Sequence, residues 1–212
     1  MSVQPISEQL FEQFCQAKGI PCARVDTDVG RTPDYVITLG DIRVTCEVKQ
    51  IDPNAEDVRE LAELREGHAT ARHPANRLRG KLKDVSAQLK DAARAGCPTL
   101  LLVYDNTPFK SYTDRADVVE AMFGRHSVRV SVPEDLSLPS RVSAPFFGGD
   151  RGLGPEWNTA VSAIAILDGG PQQVRGLRVY HNVYAAVRLD PTVFGPLSAS
   201  QMVLPDATEV SL

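Results

Sequence analysis

The 212-residue chain has no stretch long and apolar enough to span a bilayer, so a membrane partner is not expected. It has no basic start followed by an apolar run of the signal-peptide kind, and cytoplasmic residence is the default expectation. It has no Cys-x-x-Cys pair. Its four cysteines, Cys15, Cys22, Cys46 and Cys97, fall in segments that read as helix, loop, strand and turn, which argues against a zinc knuckle or a disulfide framework. It has no excess of basic charge either: the formal net charge is -4, so any surface for nucleic acid must be local. Internal repeats and low-complexity segments are absent. What is present, 42% hydrophobic and 24% charged residues, is the balance of a soluble globular protein with one core fold plus additions.

Hydrophobic periodicity divides the first half cleanly. Ser7 reads as an N-cap, apolar residues follow at 10, 11, 14 and 15, and Gly19 is a stop, which predicts a helix. Residues 35–39 and 42–49 predict two strands joined by Gly40-Asp41 as a hairpin. In the second strand Ile42, Val44, Cys46 and Val48 share one face, while Arg43, Thr45, Glu47 and Lys49 share the other. Residues 52–74 are polar, with Pro53, Gly67, His68, His73 and Pro74, and predict a mobile insertion with room for a short helix. Leu78, Leu82, Val85, Leu89 and Ala92 mark a helix over 76–95, and the apolar run 99–104 marks a strand buried on both faces. Later segments are less regular: a helix near 114–123, a short strand at 127–132, a loop-rich stretch at 133–156, strands at 161–167 and 177–189, and an irregular tail. The expected class is α/β (α+β, mixed sheet), with a core over 1–110 and a β-rich extension over 111–212 completing or flanking the same sheet.

The chemistry-bearing set is Pro33-Asp34 at the start of one strand and Glu47-Val48-Lys49 on the next, with Glu8 or Glu12 on the preceding helix. Magnesium prefers carboxylate oxygen and is commonly held by one or two such groups, a role that suits Asp34 and Glu47. A bound cation offsets the charge of a phosphodiester and acidifies water. Lys49, two residues along the same face, is placed to orient that water or to stabilise charge on the phosphate.

Pro33-Asp34, a gap of 13 positions and Glu47-x-Lys49 together resemble the signature of the PD-(D/E)xK nuclease superfamily, in the order helix, hairpin, helix, buried strand. The resemblance covers residues 7–106 and implies a restriction-endonuclease-like, resolvase-like core and a Mg2+-dependent DNA endonuclease, with Mn2+ able to substitute. It implies a glutamate of the first helix at the metal, Glu8, 11 positions before Gly19, or Glu12 one turn on, and a polar residue on the later helix, Gln88. Between Arg72 and Arg94 seven basic residues stand against two acidic ones, and Arg77, Arg79 and Lys81 are the candidates for holding a phosphate backbone.

Each choice has a plainer reading. Glu47 and Lys49 could be a solvated cross-strand face, Glu8 and Glu12 first-turn acids favoured by the helix dipole, and the basic helix an exposed solubilising face. His181-Asn182 reads as structural, His68 and His73 as loop residues, Phe146-Phe147 as a buried anchor, and Asp105-Asn106 as either a functional strand end or the start of a turn. Two rival functions share the fold: a non-catalytic module binding nucleic acid or protein, and a subunit of a larger repair or defence complex. A homodimer or partner subunit is compatible with each.

Overall fold

The computed structural model describes residues 4–25, 32–68 and 75–203. The chain is a mixed α/β protein built on a seven-stranded mixed sheet of order β1-β2-β3-β4-β9-β10-β11. These strands are β1 (Cys22–Arg24), β2 (Tyr35–Leu39), β3 (Ile42–Ile51), β4 (Thr99–Asp105), β9 (Ala163–Gly170), β10 (Gln173–His181) and β11 (Ser200–Met202). The hairpin β2-β3 is antiparallel and tight, with Leu39 opposite Ile42 and Gly40 at φ 58 in the turn. β3, β4 and β9 run parallel, and β10 returns antiparallel to β9. β9 and β10 therefore extend the sheet that β2, β3 and β4 begin, and the two halves of the sequence share one sheet.

Helix α1 (Ile6–Lys18) lies on one face, while α3 (Ala75–Arg94) and α4 (Arg115–Phe123) lie on the other. The division follows from strand alternation. Val44, Cys46, Val48, Leu100 and Leu102 pack under α1 with Leu10, Phe11 and Phe14, whereas Ile51, Leu101 and Val103 pack under α3 with Leu78, Leu82, Val85 and Leu89. All seven residues of β4 are buried, as expected of a central strand covered on both faces. Full burial of each large apolar side chain contributes roughly 1.5–3 kcal/mol, so these two layers supply most of the driving force.

Helix α1 begins at Ile6 rather than after a Ser7 cap. The Ser7 backbone N–H instead donates to Gln50 Oε1 on β3 at 2.9 Å, so a strand side chain satisfies the helix terminus. Gly19 at φ 65 ends the helix as expected, with the Ile20 N–H returned to the Cys15 carbonyl at 2.8 Å. β1 was not expected; it has three residues, and all three pair with β2.

The polar insertion contains an eleven-residue helix, α2 (Ala55–Arg65), where sequence reading allowed a short one. Asn54 and Asp57 form a reciprocal capping box. Asp57 is also a hub: Tyr112 Oη donates to its Oδ1 at 2.5 Å, and Arg77 Nη1 donates to its Oδ2 at 2.9 Å while the guanidinium lies over the Tyr112 ring. His73 and Pro74 lie outside the described residues.

After α4 the chain leaves the sheet as a two-stranded arm. β5 (His126–Ser127) pairs with β8 (Phe146–Phe147), and β6 (Val130–Ser131) with β7 (Arg141–Val142). Sequence reading placed a strand on the outgoing side of this arm and loop on the return. Phe147 is buried against Phe123 and anchors the base, which agrees with its reading as a buried anchor. The tail from Asp190 is not wholly irregular: a 3-10 helix (Pro191–Leu197) seats Phe194 in the α1-side core, and β11 pairs parallel to β10.

Burial pushes the Asp57 carboxyl up, but the Tyr112 hydroxyl, the Asn54 N–H and the Arg77 guanidinium outweigh it and hold it below the usual range. Its contribution to stability is therefore complete above the unfolded-state carboxylate pKa and is lost as pH falls through the depressed folded-state value. Asp57→Asn is expected to lower stability at neutral pH by about 2–4 kcal/mol, with the difference from wild type shrinking in acid; urea titrations across pH measure both.

Candidate functional site

The sheet geometry brings Asp34, Glu47 and Lys49 to one place. Tyr35 stands opposite Cys46, so the preceding Asp34 continues the ladder beside Glu47 and shares the α3-side face with Glu47 and Lys49. Asp34 is tied to the partner strand by its side chain, with Oδ2 accepting the Val48 N–H at 2.8 Å. Lys49 Nζ donates to Glu47 Oε1 at 2.5 Å. Lys49 keeps 25% of its side chain exposed, whereas the Glu47 side chain is 0% exposed.

Glu47 is the unusual member. Its second oxygen, Oε2, is buried and has no hydrogen-bond partner among the described residues. An unsatisfied, buried carboxylate oxygen is expensive, and such atoms in folded proteins call for an explanation such as a missing ion or water. Burial pushes the Glu47 carboxyl up from its ordinary value; the Lys49 ammonium opposes that, and the neighbouring Asp34 carboxylate adds to it. Two carboxylates and one ammonium therefore share one face of the sheet, and one Glu47 oxygen has no hydrogen-bond partner among the described residues.

The other candidates separate from this cluster. Glu8 and Glu12 lie on α1, across the sheet. Glu8 is ion-paired with Arg24 and accepts from Tyr35 Oη at 3.4 Å; Glu12 accepts from the same hydroxyl at 2.6 Å and from Gln4 Nε2 at 3.0 Å. The structure does not bring either one together with Asp34 and Glu47, because side chains of α1 meet the opposite face of β3. Among the described residues no group of three or more His, Cys, Asp and Glu side chains is arranged to hold a metal ion, so the carboxylate complement at β3 is two.

On α3 the 3.6-residue period puts Arg77, Lys81, Asp84 and Gln88 along one flank and Arg79 on the other. Arg77 reaches Asp57 and the Asp52 carbonyl just beyond β3, so its flank faces the β3 side of the sheet. Gln88 on that flank is half-buried and borders a shallow depression with Lys83, Asp84 and Ala87. Lys81, also half-buried, makes no ion pair or hydrogen bond among the described residues.

The three cations expected to hold phosphate thus have different positions. Arg77 is engaged by Asp57 and Tyr112. Arg79 is buried and turned to α4, where its guanidinium lies 3.8 Å from the Glu120 carboxylate and donates to Asn76 Oδ1 at 2.5 Å. Only Lys81 stands free beside the β3 face, and Arg72 lies outside the described residues.

Asp105 begins a turn: its Oδ1 accepts the Thr107 N–H and hydroxyl, and its Oδ2 accepts the Tyr112 N–H. His181 and Asn182 make internal hydrogen bonds, His181 Nε2 lying 3.0 Å from Gln201 Oε1 and Asn182 bridging the Val161 carbonyl and the Tyr184 N–H. Gln50 and Tyr35, which brace α1 against the hairpin, were not singled out from sequence; for Gln50 the available signal was its even-numbered position on the α1 face of β3.

Compared with protein-family models, with curated proteins and with solved structures, the chain matches none of them.

Removing the Lys49 charge leaves Glu47 buried without a counter-ion. Lys49→Met is expected to cost about 2–3 kcal/mol, the partly exposed lysine discounting the figure usual for a buried pair. In a double-mutant cycle, Glu47→Gln/Lys49→Met should be less destabilised than the sum of the single variants, as measured by chemical denaturation.

Proposed function

We propose that this protein hydrolyses phosphodiester bonds of nucleic acid in a Mg2+-dependent reaction, as a DNA endonuclease with a restriction-endonuclease-like core. The observation that carries the reading is the orphaned, buried Glu47 Oε2, held beside Asp34 on a strand whose next same-face residue is Lys49. The donor set fits the ion: two carboxylates of adjacent strands are what magnesium takes when water and substrate phosphate complete its shell. When bound, the ion would supply positive charge to the scissile phosphate and acidify an attacking water.

The chain's own residues would do the rest. The Val48 N–H fixes Asp34, and burial in the sheet fixes Glu47, so both carboxylates are pre-oriented. The Lys49 ammonium, hydrogen-bonded to Glu47 and partly open to solvent, is positioned to hold a water or a phosphate oxygen at the face of the site. Lys81 would add a phosphate contact from the α3 flank. Gln88, on the same flank, is a positioning candidate.

A second reading, the same fold as a non-cutting binding module, is favoured by one feature: Arg77 is engaged by Asp57 and Arg79 is buried and turned to α4, so neither guanidinium is offered to a phosphate beside Glu47.

Cleavage of supercoiled plasmid and of single-stranded DNA, with Mg2+, Mn2+ or chelator, separates the two. Wild type should cut only with metal; Glu47→Ala should not cut, and Lys49→Ala should lose about 100-fold or more in rate while staying folded. Thermal stabilisation by the divalent ion should vanish in Glu47→Gln and persist in Glu12→Gln. A Lys49→Ala variant as active as wild type rules out the mechanism, and absence of cutting under every condition favours the binding module.

A further inference from the structure

All four cysteines are free thiols, and two of them meet. Cys15 lies in the last turn of α1, where its carbonyl accepts the Ile20 N–H at 2.8 Å and Gly19 at φ 65 reverses the chain. Pro21 then ties the return to the hairpin, its carbonyl accepting the Thr38 N–H at 3.0 Å, and Cys22 opens β1 opposite Ile37. Ile37 in turn stands opposite Val44, so this row of three strands turns its side chains to α1, into the layer that also holds Cys15. The helix end and the edge strand thereby bring the Cys15 and Cys22 thiols within hydrogen-bond reach of one another.

The two sulfurs differ in access and in protonation. Cys15 is 1% exposed; Cys46, on the same face of the sheet, is 0% exposed and its Sγ donates to the Val44 carbonyl at 3.7 Å. Cys22 is half-buried at the edge of the sheet, so a reagent arriving from solvent meets it first. The hydrogen bond from the Cys15 thiol holds the Cys22 thiol below its ordinary value, against burial and the Glu12 carboxylate, while the same bond and burial push the Cys15 thiol up. The thiolate is the nucleophilic form of cysteine, which makes Cys22 the attacking sulfur and Cys15 the neighbour that resolves it.

We infer that Cys15 and Cys22 form a redox-active dithiol that a hydroperoxide converts to an intramolecular disulfide, fastening the edge strand β1 to the end of α1. Cys22 Sγ attacks one peroxide oxygen; an S–O bond forms as the O–O bond breaks, and the departing oxygen takes up a proton and leaves as water or an alcohol. Cys15 Sγ then attacks Cys22 Sγ; the S–S bond forms, the S–O bond breaks, and the hydroxyl leaves as water with the Cys15 proton. The two thiols are oxidised by two electrons and the peroxide is reduced by two. A thiol reductant reverses the bridge by exchange. In the reduced chain β1 is held to α1 by the Arg24–Glu8 ion pair, and the disulfide adds a covalent tie between the same two elements. The inference does not rest on the nuclease reading, and its test needs neither metal nor nucleic acid.

Peptide mapping of the full chain is the experiment. The protein is treated with hydrogen peroxide, alkylated and digested with trypsin without reductant. Cleavage after Lys18 and Arg24 puts Cys15 in peptide 1–18 and Cys22 in peptide 19–24, so the bridge is seen as these two peptides joined, and it is lost on adding dithiothreitol. Cys22 should react with peroxide roughly tenfold faster than Cys97, which is also half-buried and serves as the internal reference. In Cys15→Ser, Cys22 should stop at the sulfenic acid and be trapped by dimedone; in Cys22→Ser, Cys15 should remain a thiol. The wild-type map stands without either variant. A Cys22 that stays reduced or goes on to the sulfinic acid with no joined peptides overturns the inference, as does a bridge to Cys46 or Cys97, or one found only between two chains.

Discussion

A carboxylate enclosed in the middle of a sheet has to find partners or cost the fold several kcal/mol, and Glu47 finds a partner for only one of its two oxygens. Its position is forced. β3 must turn Val44, Cys46 and Val48 toward α1 to build that side of the core, and a period of two then commits Thr45, Glu47, Lys49 and Ile51 to the α3 side. A one-residue slip would turn Lys49 into the α1 layer and Val44, Cys46 and Val48 to the α3 side. Register, hydrophobic burial and the placing of the carboxylate are thus one constraint, enforced on one edge by β2 and on the other by the fully buried β4.

Polar ties surround that strand and hold what hydrophobic packing alone would leave loose. Gln50 Oε1 accepts the Ser7 N–H in the first turn of α1, and Tyr35 Oη donates to Glu12, so the helix is registered against the hairpin at two points. On the opposite face Asp57 joins α2, α3 and the turn after β4 through Arg77 and Tyr112. The consequence for chemistry is direct: Glu8, Glu12, Arg77 and Arg79, each a reasonable ligand or phosphate contact by residue type, are used to assemble the frame. Among the described residues Glu47 Oε2 is without a partner, and Lys81 makes no ion pair or hydrogen bond.

That distinction explains what could be read from the sequence. α1, the β2-β3 hairpin, α3 and β4 were legible because each buries an apolar stripe, and such stripes carry the period of their element. The side-by-side placing of Asp34, Glu47 and Lys49 was legible for the same reason. α2 was not, beyond a hint, because it docks through Asp57 and Glu60 and leaves Val58 64% exposed, so its hydrophobic pattern is silent. The Asn54-x-x-Asp57 capping pattern was the signal that periodicity could not give. Arg79 was misjudged as a surface cation because residue type does not reveal which flank of a helix another helix will cover. The return strand of the arm was hidden among prolines and serines, since two-residue pairings leave no periodic trace.

Why, then, would a fold tolerate Glu47 Oε2? Stability alone does not explain it: a neutral side chain of the same size at position 47 would avoid the desolvation that raises this carboxyl, and Lys49 would not be needed to compensate. Nor does a structural tie explain it, because the strand pairing on both sides of Glu47 is made by backbone groups and the brace to β2 is made by Asp34. The arrangement is coherent if the pair is kept for what it can bind. The Glu47–Lys49 contact then holds the carboxylate in place with a charge that is itself partly open to solvent, and leaves the inward oxygen beside Asp34 for a cation. A buried group this costly, where a neutral one would fold as well, is what makes this face the candidate site.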